Sequence, residues 1–363
     1  MDAGEILDEL SREVRELSLG CTGEVARIEG PPDPLRFLRE FVLPNRPCII
    51  TNAIDHWAAL RLWSNSYLCA QLADYSVSCH FTPDGRADAV VEAAVESDLL
   101  GLGYENGDGG QEGGGIAEGD ARGLVFASAL VEVLPFPEAL NHVLRSSREC
   151  SVAYLQQQNN CFPLEFSALS DDADGDIGWA SQALGCKPEA VNLWIGTQDS
   201  VTSFHKDHYE NLYAVVSGEK HFTLLPPTDV HRMYVKKYPI AHYERTDSGS
   251  LVLKHDDPTS WVPWVSVDPS LKDSDLQTAK SQYPRYFEGP PAFECSLRAG
   301  ELLYLPSLWF HHVRQTPDTE GRTIALNYWY DMQFDMKYAY FNLVESLTAS
   351  SSVSETISKH SNS

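Results

Sequence analysis

The chain has 363 residues, 43 % of them hydrophobic, which is enough for one or two full cores and too apolar for overall disorder. Asp and Glu number 52 against 27 Lys and Arg, and the net charge of −25 repels nucleic-acid phosphates and attracts basic partners, besides serving solubility. No apolar run is long enough to cross a bilayer, and the eight cysteines form no Cys-x-x-Cys pair, so a membrane role and an ordinary structural zinc site are excluded.

The first segment, MDAGEILDELSREV, is acidic and amphipathic, unlike a secretory signal. Together with scattered cysteines it predicts reduced thiols in a cytoplasmic or nuclear protein. Ile6, Leu7, Leu10, Val14 and Leu17 recur at helical spacing over residues 5–18, with Gly20 as a stop. NRPCIITNA (45–53) reads as a turn into a short buried strand, and SVSCHFTPDG (76–85) as a strand ending in a hairpin-type Asp-Gly turn. Ten of the 23 residues at 101–123 are glycine and most others are polar or acidic, so this segment is expected to be a flexible insertion. It lacks the lysine and following helix of a phosphate-binding loop.

From about residue 150 the chain turns to short β-branched and aromatic runs: SVAYLQQ (151–157), VNLWIG (191–196), NLYAVVSGEKHFTLL (211–225), ELLYLP (301–306), FHHV (310–313) and TIALNYWY (323–330). They predict a mainly β fold, a sandwich or jelly roll with flanking helices, in which 211–225 is a hairpin around Ser217-Gly218-Glu219. KYAYFNLVESLTAS (337–350) reads as an amphipathic helix with Tyr340, Phe341, Val344 and Leu347 inward. The expected division is an N-terminal cap (1–100), the insertion (101–123), a catalytic core (124–335), and a helix with a disordered tail (336–363).

The chemistry concentrates in TSFHKDHYENLYAVVSGEK (202–220). On an extended chain His205 and Asp207 share a face, while Lys206 and His208 point away. A third ligand from LPSLWFHHVRQ (305–315), where only one of His311 and His312 can face inward, completes a two-histidine, one-carboxylate triad of the non-haem iron type. A zinc hydrolase uses the same residue types. A neighbouring site for 2-oxoglutarate separates the two, and Lys220 provides a cation for its distal carboxylate, with Thr202, Tyr154 and Asn327 as further polar contacts. No segment reads as a protease nucleophile.

The segments TSFHKDHYENLYAVVSGEKHFTLLPP, GELLYLPSLWFHH and ALNYWYD resemble the jumonji-C (JmjC) family of Fe(II)- and 2-oxoglutarate-dependent oxygenases, and most closely its lysyl hydroxylase type. The likeness covers most of the chain; the Gly-rich stretch and part of 165–176 look like insertions. It implies a double-stranded β-helix (cupin-like jelly roll), with His205, Asp207 and His311, rather than His312, holding Fe(II). It further implies that Lys220, Thr202, Tyr154 and Asn327 receive 2-oxoglutarate, with O₂ as the other co-substrate. The implied reaction hydroxylates a lysine of a basic protein substrate. Demethylation of N-methyl-lysine in histones is the alternative, and a metal-free cupin-like binding module is the alternative from another class. By the same resemblance the C-terminal helix is either a homodimer face, as in relatives, or a cap on the sandwich.

Overall fold

The computed structural model describes residues 3–19, 23–93 and 123–360; the Gly-rich insertion and Gly20 lie almost wholly or wholly outside them. Eleven strands build two facing sheets: β1 (Ala26–Glu29), β2 (Cys48–Thr51), β3 (Arg86–Ala87), β4 (Ala190–Gly196), β5 (Val201–His205), β6 (Tyr209–Ser217), β7 (Glu219–Leu225), β8 (Phe293–Arg298), β9 (Leu302–Leu305), β10 (Phe310–Thr316) and β11 (Thr323–Asp331). The larger sheet has the order β1-β2-β9-β6-β11-β4, and the smaller β8-β7-β10-β5-β3. This is the expected jelly roll.

The larger sheet is covered on both faces, so its strands read as nearly unbroken apolar runs. Leu212, Ala214, Val216, Ile324, Leu326 and Tyr328 face an outer layer that contains Phe37, Trp57, Trp63, Phe136 and Phe162. The alternate residues Tyr213, Val215 and Ala325 face the smaller sheet and meet Phe222, Leu224, Leu297 and Val313. A third cluster, with Phe204, Leu225, Phe310, Leu7 and Val344, lies on the outer face of the smaller sheet. Each fully buried large apolar side chain contributes roughly 1.5–3 kcal/mol.

Four local expectations are corrected. The 211–225 segment turns at Gly218, but its arms do not pair: β6 joins β9 and β11, whereas β7 joins β8 and β10. The turn carries the chain from one sheet to the other. Gly218 is required there, since its φ is +72° and a Cβ would lie 2.7 Å from the Thr316 carbonyl oxygen. Likewise, the strand Ser76–Thr82 ends at the Asp-Gly turn, but β3 beyond it pairs with β5 rather than folding back.

The helix Ala3–Leu19 exists, yet Ile6 and Leu17 are exposed. Its buried stripe is Leu7, Ser11, Arg15 and Ser18, because Ser11 and Arg15 both bond the fully buried Asp229, which also pairs with Arg232. A buried carboxylate needs such partners, and polar residues therefore take the inward positions. The helix Met336–His360 buries Val344 and half-buries Phe341, but Tyr340 and Leu347 are exposed.

Candidate metal and co-substrate site

Strands β5 and β10 run antiparallel, with the Cα of His205 opposite that of His311. The two imidazole rings stand 4.1 Å apart, centroid to centroid. Asp207 lies just past the end of β5, and its carbonyl accepts the Leu308 N–H at 2.8 Å, which ties it to the loop leading into β10. Its carboxylate oxygen is 3.5 Å from His205 Nε2 and 3.6 Å from His311 Nε2. The three candidate donor atoms all fall within 4.8 Å of one another. Neighbouring ligands on one octahedral ion with bonds of ~2.1 Å sit about 3 Å apart, so the donor set fits a divalent cation with a small contraction.

The imidazole tautomers suit that role. His205 Nδ1 lies 2.8 Å from the Ser203 carbonyl and His311 Nδ1 3.0 Å from that of Trp309. An N–H at each Nδ1 leaves the Nε2 lone pair free toward Asp207. Burial lowers the His311 pKa to about 4, aided by the neighbouring His205, and so favours the neutral ring that a metal needs. Burial raises Asp207, but the two histidines outweigh it and hold the carboxyl down at about 2. Burial pulls the His205 pKa down, but Asp207, the Ser203 carbonyl and Asp88 together leave it raised.

His312 does not join this group. Its Cα partner is Thr223, on the outward phase of β7, and its ring packs against Phe204. Neither of its ring nitrogens has a hydrogen-bond partner. Lys206 and His208 also point away, Lys206 to Glu345 at 2.7 Å and His208 to Phe334 and Tyr338.

Lys220 lies at the other end of the inner face. On β10 the residues opposite Leu224, Phe222 and Lys220 are His311, Val313 and Gln315, so the ligand and the lysine are separated by four residues, about 13 Å of strand. Lys220 is 1 % exposed. Its ammonium donates to the Tyr154 hydroxyl at 3.0 Å and lies over the Tyr154 and Tyr213 rings. Among the described residues no carboxylate pairs with it, and burial pushes its pKa down to about 7. A buried cation without an anion is costly, and the position is therefore made for an anionic guest.

Between the two ends lies a small pocket whose lining includes Thr202, Tyr213, Asn211, Asn327 and Trp329. Thr202 hydrogen-bonds Tyr154, partly offsetting the upward push of burial on that phenol. Asn327 is oriented by Trp194, whose Nε1 donates to its Oδ1 at 2.8 Å, while its own amide reaches Asn211 at 3.4 Å. Trp194, Asn211, Tyr213, Gln158 and Trp329 line the pocket without having been expected from the sequence. Glu210, outside the lining, was also not expected; it accepts from the Tyr304 hydroxyl at 2.6 Å and the Ser307 hydroxyl at 3.0 Å and so fixes the loop that delivers His311. They come from strands far apart in the chain, and no local spacing marks them; only the inward phase of TIALNYWY, shared by Asn327 and Trp329, pointed that way.

The cupin-like domain family matches residues 34–336. The chain is 53 % identical over 348 residues to lysine-specific demethylase JMJ32 of Arabidopsis thaliana, covering 95 % of this chain and 92 % of that protein. It is 40 % identical over 345 residues to the bifunctional peptidase and (3S)-lysyl hydroxylase JMJD7 of Homo sapiens, covering 95 % of each. JmjC domain-containing protein E of Dictyostelium discoideum is 35 % identical over 340 residues, covering 90 % of this chain and 89 % of that protein. With a jelly roll, a His-Asp-His cluster on its inner face and relatives of matching length, the chain belongs to the cupin-like JmjC family.

Proposed function

We propose that the protein is an Fe(II)- and 2-oxoglutarate-dependent oxygenase that hydroxylates a lysine side chain of a protein substrate. The observation that carries this reading is Lys220, a buried ammonium with no anionic partner among the described residues, on the strand face that also carries the pocket residue Phe222, while the metal-ligand triad lines that pocket. A zinc hydrolase needs no such cation; a dicarboxylic keto acid, chelated at one end, needs it at the other.

In this reading His205, Asp207 and His311 hold Fe(II) through Nε2, a carboxylate oxygen and Nε2. Lys220 neutralises the distal carboxylate of 2-oxoglutarate, with Tyr154 and Thr202 hydrogen-bonded beside it and Asn327 held by Trp194 along the pocket wall. The chemistry such a centre supplies is oxidative decarboxylation: 2-oxoglutarate, O₂ and a C–H bond become succinate, CO₂ and C–OH. The protein's contribution is position, a dry lysine end and a His311 ring that burial keeps neutral.

A second reading is favoured by the 53 % identity to a protein named as a lysine-specific demethylase. Hydroxylation of an N-methyl group leaves a hemiaminal that breaks to formaldehyde and the free amine. The name of the human relative, and the lack of a Cys/His reader cluster among the described residues, support the hydroxylase.

The net charge of −25 supports a basic, lysine-bearing protein segment as the substrate and disfavours nucleic acid. Among the described residues no helix is long and apolar enough to cross a membrane. The seven described cysteines are all free, which supports the cytoplasm or nucleus. The exposed Phe334, Met336, Tyr340, Leu343 and Leu347 support pairing of two copies through the C-terminal helix. Residues 124–335 remain our proposed catalytic core, capped by 1–100.

The test is intact-mass analysis of basic peptides incubated with the protein, iron and 2-oxoglutarate. A gain of one oxygen means hydroxylase; a loss of one methylene from methylated lysine means demethylase. Turnover of 2-oxoglutarate to succinate with neither change in any lysine peptide contradicts the lysine assignment.

A further inference from the structure

A substrate lysine brings a positive charge to this site, and a counter-charge must meet it. Among the described residues Asp207 is the only carboxylate lining the pocket, and it already faces His205 and His311. The next strand supplies another. β3 runs parallel beside β5, with Arg86 opposite Val201 and Ala87 opposite Thr202. Ser203 Oγ donates to the Ala87 carbonyl at 3.3 Å, and the Val201 N–H donates to that of Gly85 at 2.9 Å. Gly85 makes this approach feasible: its φ is +89°, and a Cβ there would stand 1.7 Å from the Asp199 carbonyl oxygen. The chain then leaves β3 through Asp88, in the left-handed region at φ 51°. Asp88 therefore stands one residue beyond the partner of Thr202, level with the end of β5 that carries His205.

The neighbouring acids are already satisfied. Arg86 bonds Asp84 at 2.7 Å and Asp268 at 2.7 Å. On the other side of the mouth Glu189 is bonded by the Tyr209 hydroxyl, and Asp331 is exposed to full screening. Asp88 is half-buried and has neither a hydrogen bond nor an ion pair among the described residues. Burial raises its pKa, and the charge of His205 offsets part of that rise. Ala89 and Val90, next in the chain, share a small cavity with Trp264, whose ring lies parallel to that of His205 at 6.4 Å. Asp88 thus lies beside the strand that carries the metal ligand and directly precedes the two residues that share this cavity with Trp264.

We infer that Asp88 is the specificity residue that takes the ε-ammonium of the incoming lysine, an inference that rests on the lysine reading above. An unpaired, partly desolvated carboxylate is the natural complement of a cationic side chain, and a hydrogen-bonded charge pair there discriminates strongly against a neutral isostere.

The experiment uses the full chain loaded with Mn(II) and 2-oxoglutarate. Paramagnetic broadening is read on two probes, Nα-acetyl-lysine methylamide and its norleucine isostere. The wild type should broaden the lysine probe preferentially. Asp88→Asn, which keeps shape and tolerates the left-handed backbone, should weaken the lysine probe about tenfold while leaving the norleucine probe and 2-oxoglutarate affinity unchanged. Asp88→Glu should restore part of the preference. An undiminished lysine preference in Asp88→Asn overturns the inference with the lysine reading intact. Lost 2-oxoglutarate affinity in that variant also overturns it, because the role would then be structural. If the wild type does not distinguish the two probes, the lysine reading itself fails and the inference with it.

Discussion

The two ends of the pocket solve opposite electrostatic problems. At the β5–β10 end, Asp207 and the two histidines compensate one another, and each imidazole is set by a backbone carbonyl so that its free nitrogen points at the others. At the β7 end, Lys220 is buried against the Tyr154 hydroxyl and the Tyr154 and Tyr213 rings. The first end presents three donors that fit a divalent cation; the second presents a buried ammonium that suits an anion. One guest answers both, a keto acid that chelates a metal through one end and presents a carboxylate at the other.

The comparison breaks most completely if a ligand is removed. Asp207→Ala or His311→Ala should lower divalent-metal affinity on the order of a thousandfold, read by titration with Mn(II) or Fe(II) under anaerobic conditions. His312→Ala should leave it nearly unchanged, since that ring faces Phe204 on the other side of the strand. If His312→Ala removes the metal and His311→Ala does not, the strand phase is wrong.

The next largest effect belongs to the other end. Lys220→Ala should weaken 2-oxoglutarate by about 3 kcal/mol, roughly 100-fold, and leave metal affinity intact. An unchanged 2-oxoglutarate affinity would falsify the role given to Lys220.

A smaller, graded effect follows from protonation. Lys220 is held at about 7, below its ordinary value, because burial disfavours the ammonium. As pH rises through 7 the free site loses its positive charge, and binding of a carboxylate must recapture a proton. The 2-oxoglutarate affinity of the wild type should therefore fall above pH 7, by up to about tenfold per pH unit. Proton uptake measured by calorimetry in buffers of different ionisation enthalpy checks the sign. Lys220→Arg, which stays charged, should bind with little pH dependence over the same range.

The smallest effect is on stability. His312→Leu replaces a buried ring with two unpartnered nitrogens by an apolar group, and thermal unfolding should move little or upward. A large loss of stability would mean that the ring nitrogens have partners in solution.

How much of this was legible follows the locality of the signal. His205, Asp207 and Lys220 lie within sixteen residues, and alternation along an extended chain is enough to group the first two. Alternation could say that one of His311 and His312 faces in, but not which; the family likeness selected His311, and the pairing of His311 with His205 agrees with that choice. The hairpin at 211–225 was misread because a tight Gly turn announces a reversal and not the partners of its arms. The inward use of Ser11 and Arg15 was invisible because Asp229, which demands them, lies more than two hundred residues away. Trp194 and Glu210 escaped for the same reason, since each acts on a residue brought near only by the sheet.

The central claim is that metal and Lys220 grip one molecule from its two ends. Calorimetric titration of 2-oxoglutarate into metal-free and Mn(II)-loaded protein, with wild type and Lys220→Ala, tests it directly. The account predicts that metal strengthens 2-oxoglutarate binding by at least about tenfold, and that Lys220→Ala weakens what binding remains in both states. Equal affinity with and without metal would show that the keto acid, if it binds, does not bridge the two ends, and the account would be contradicted at its centre.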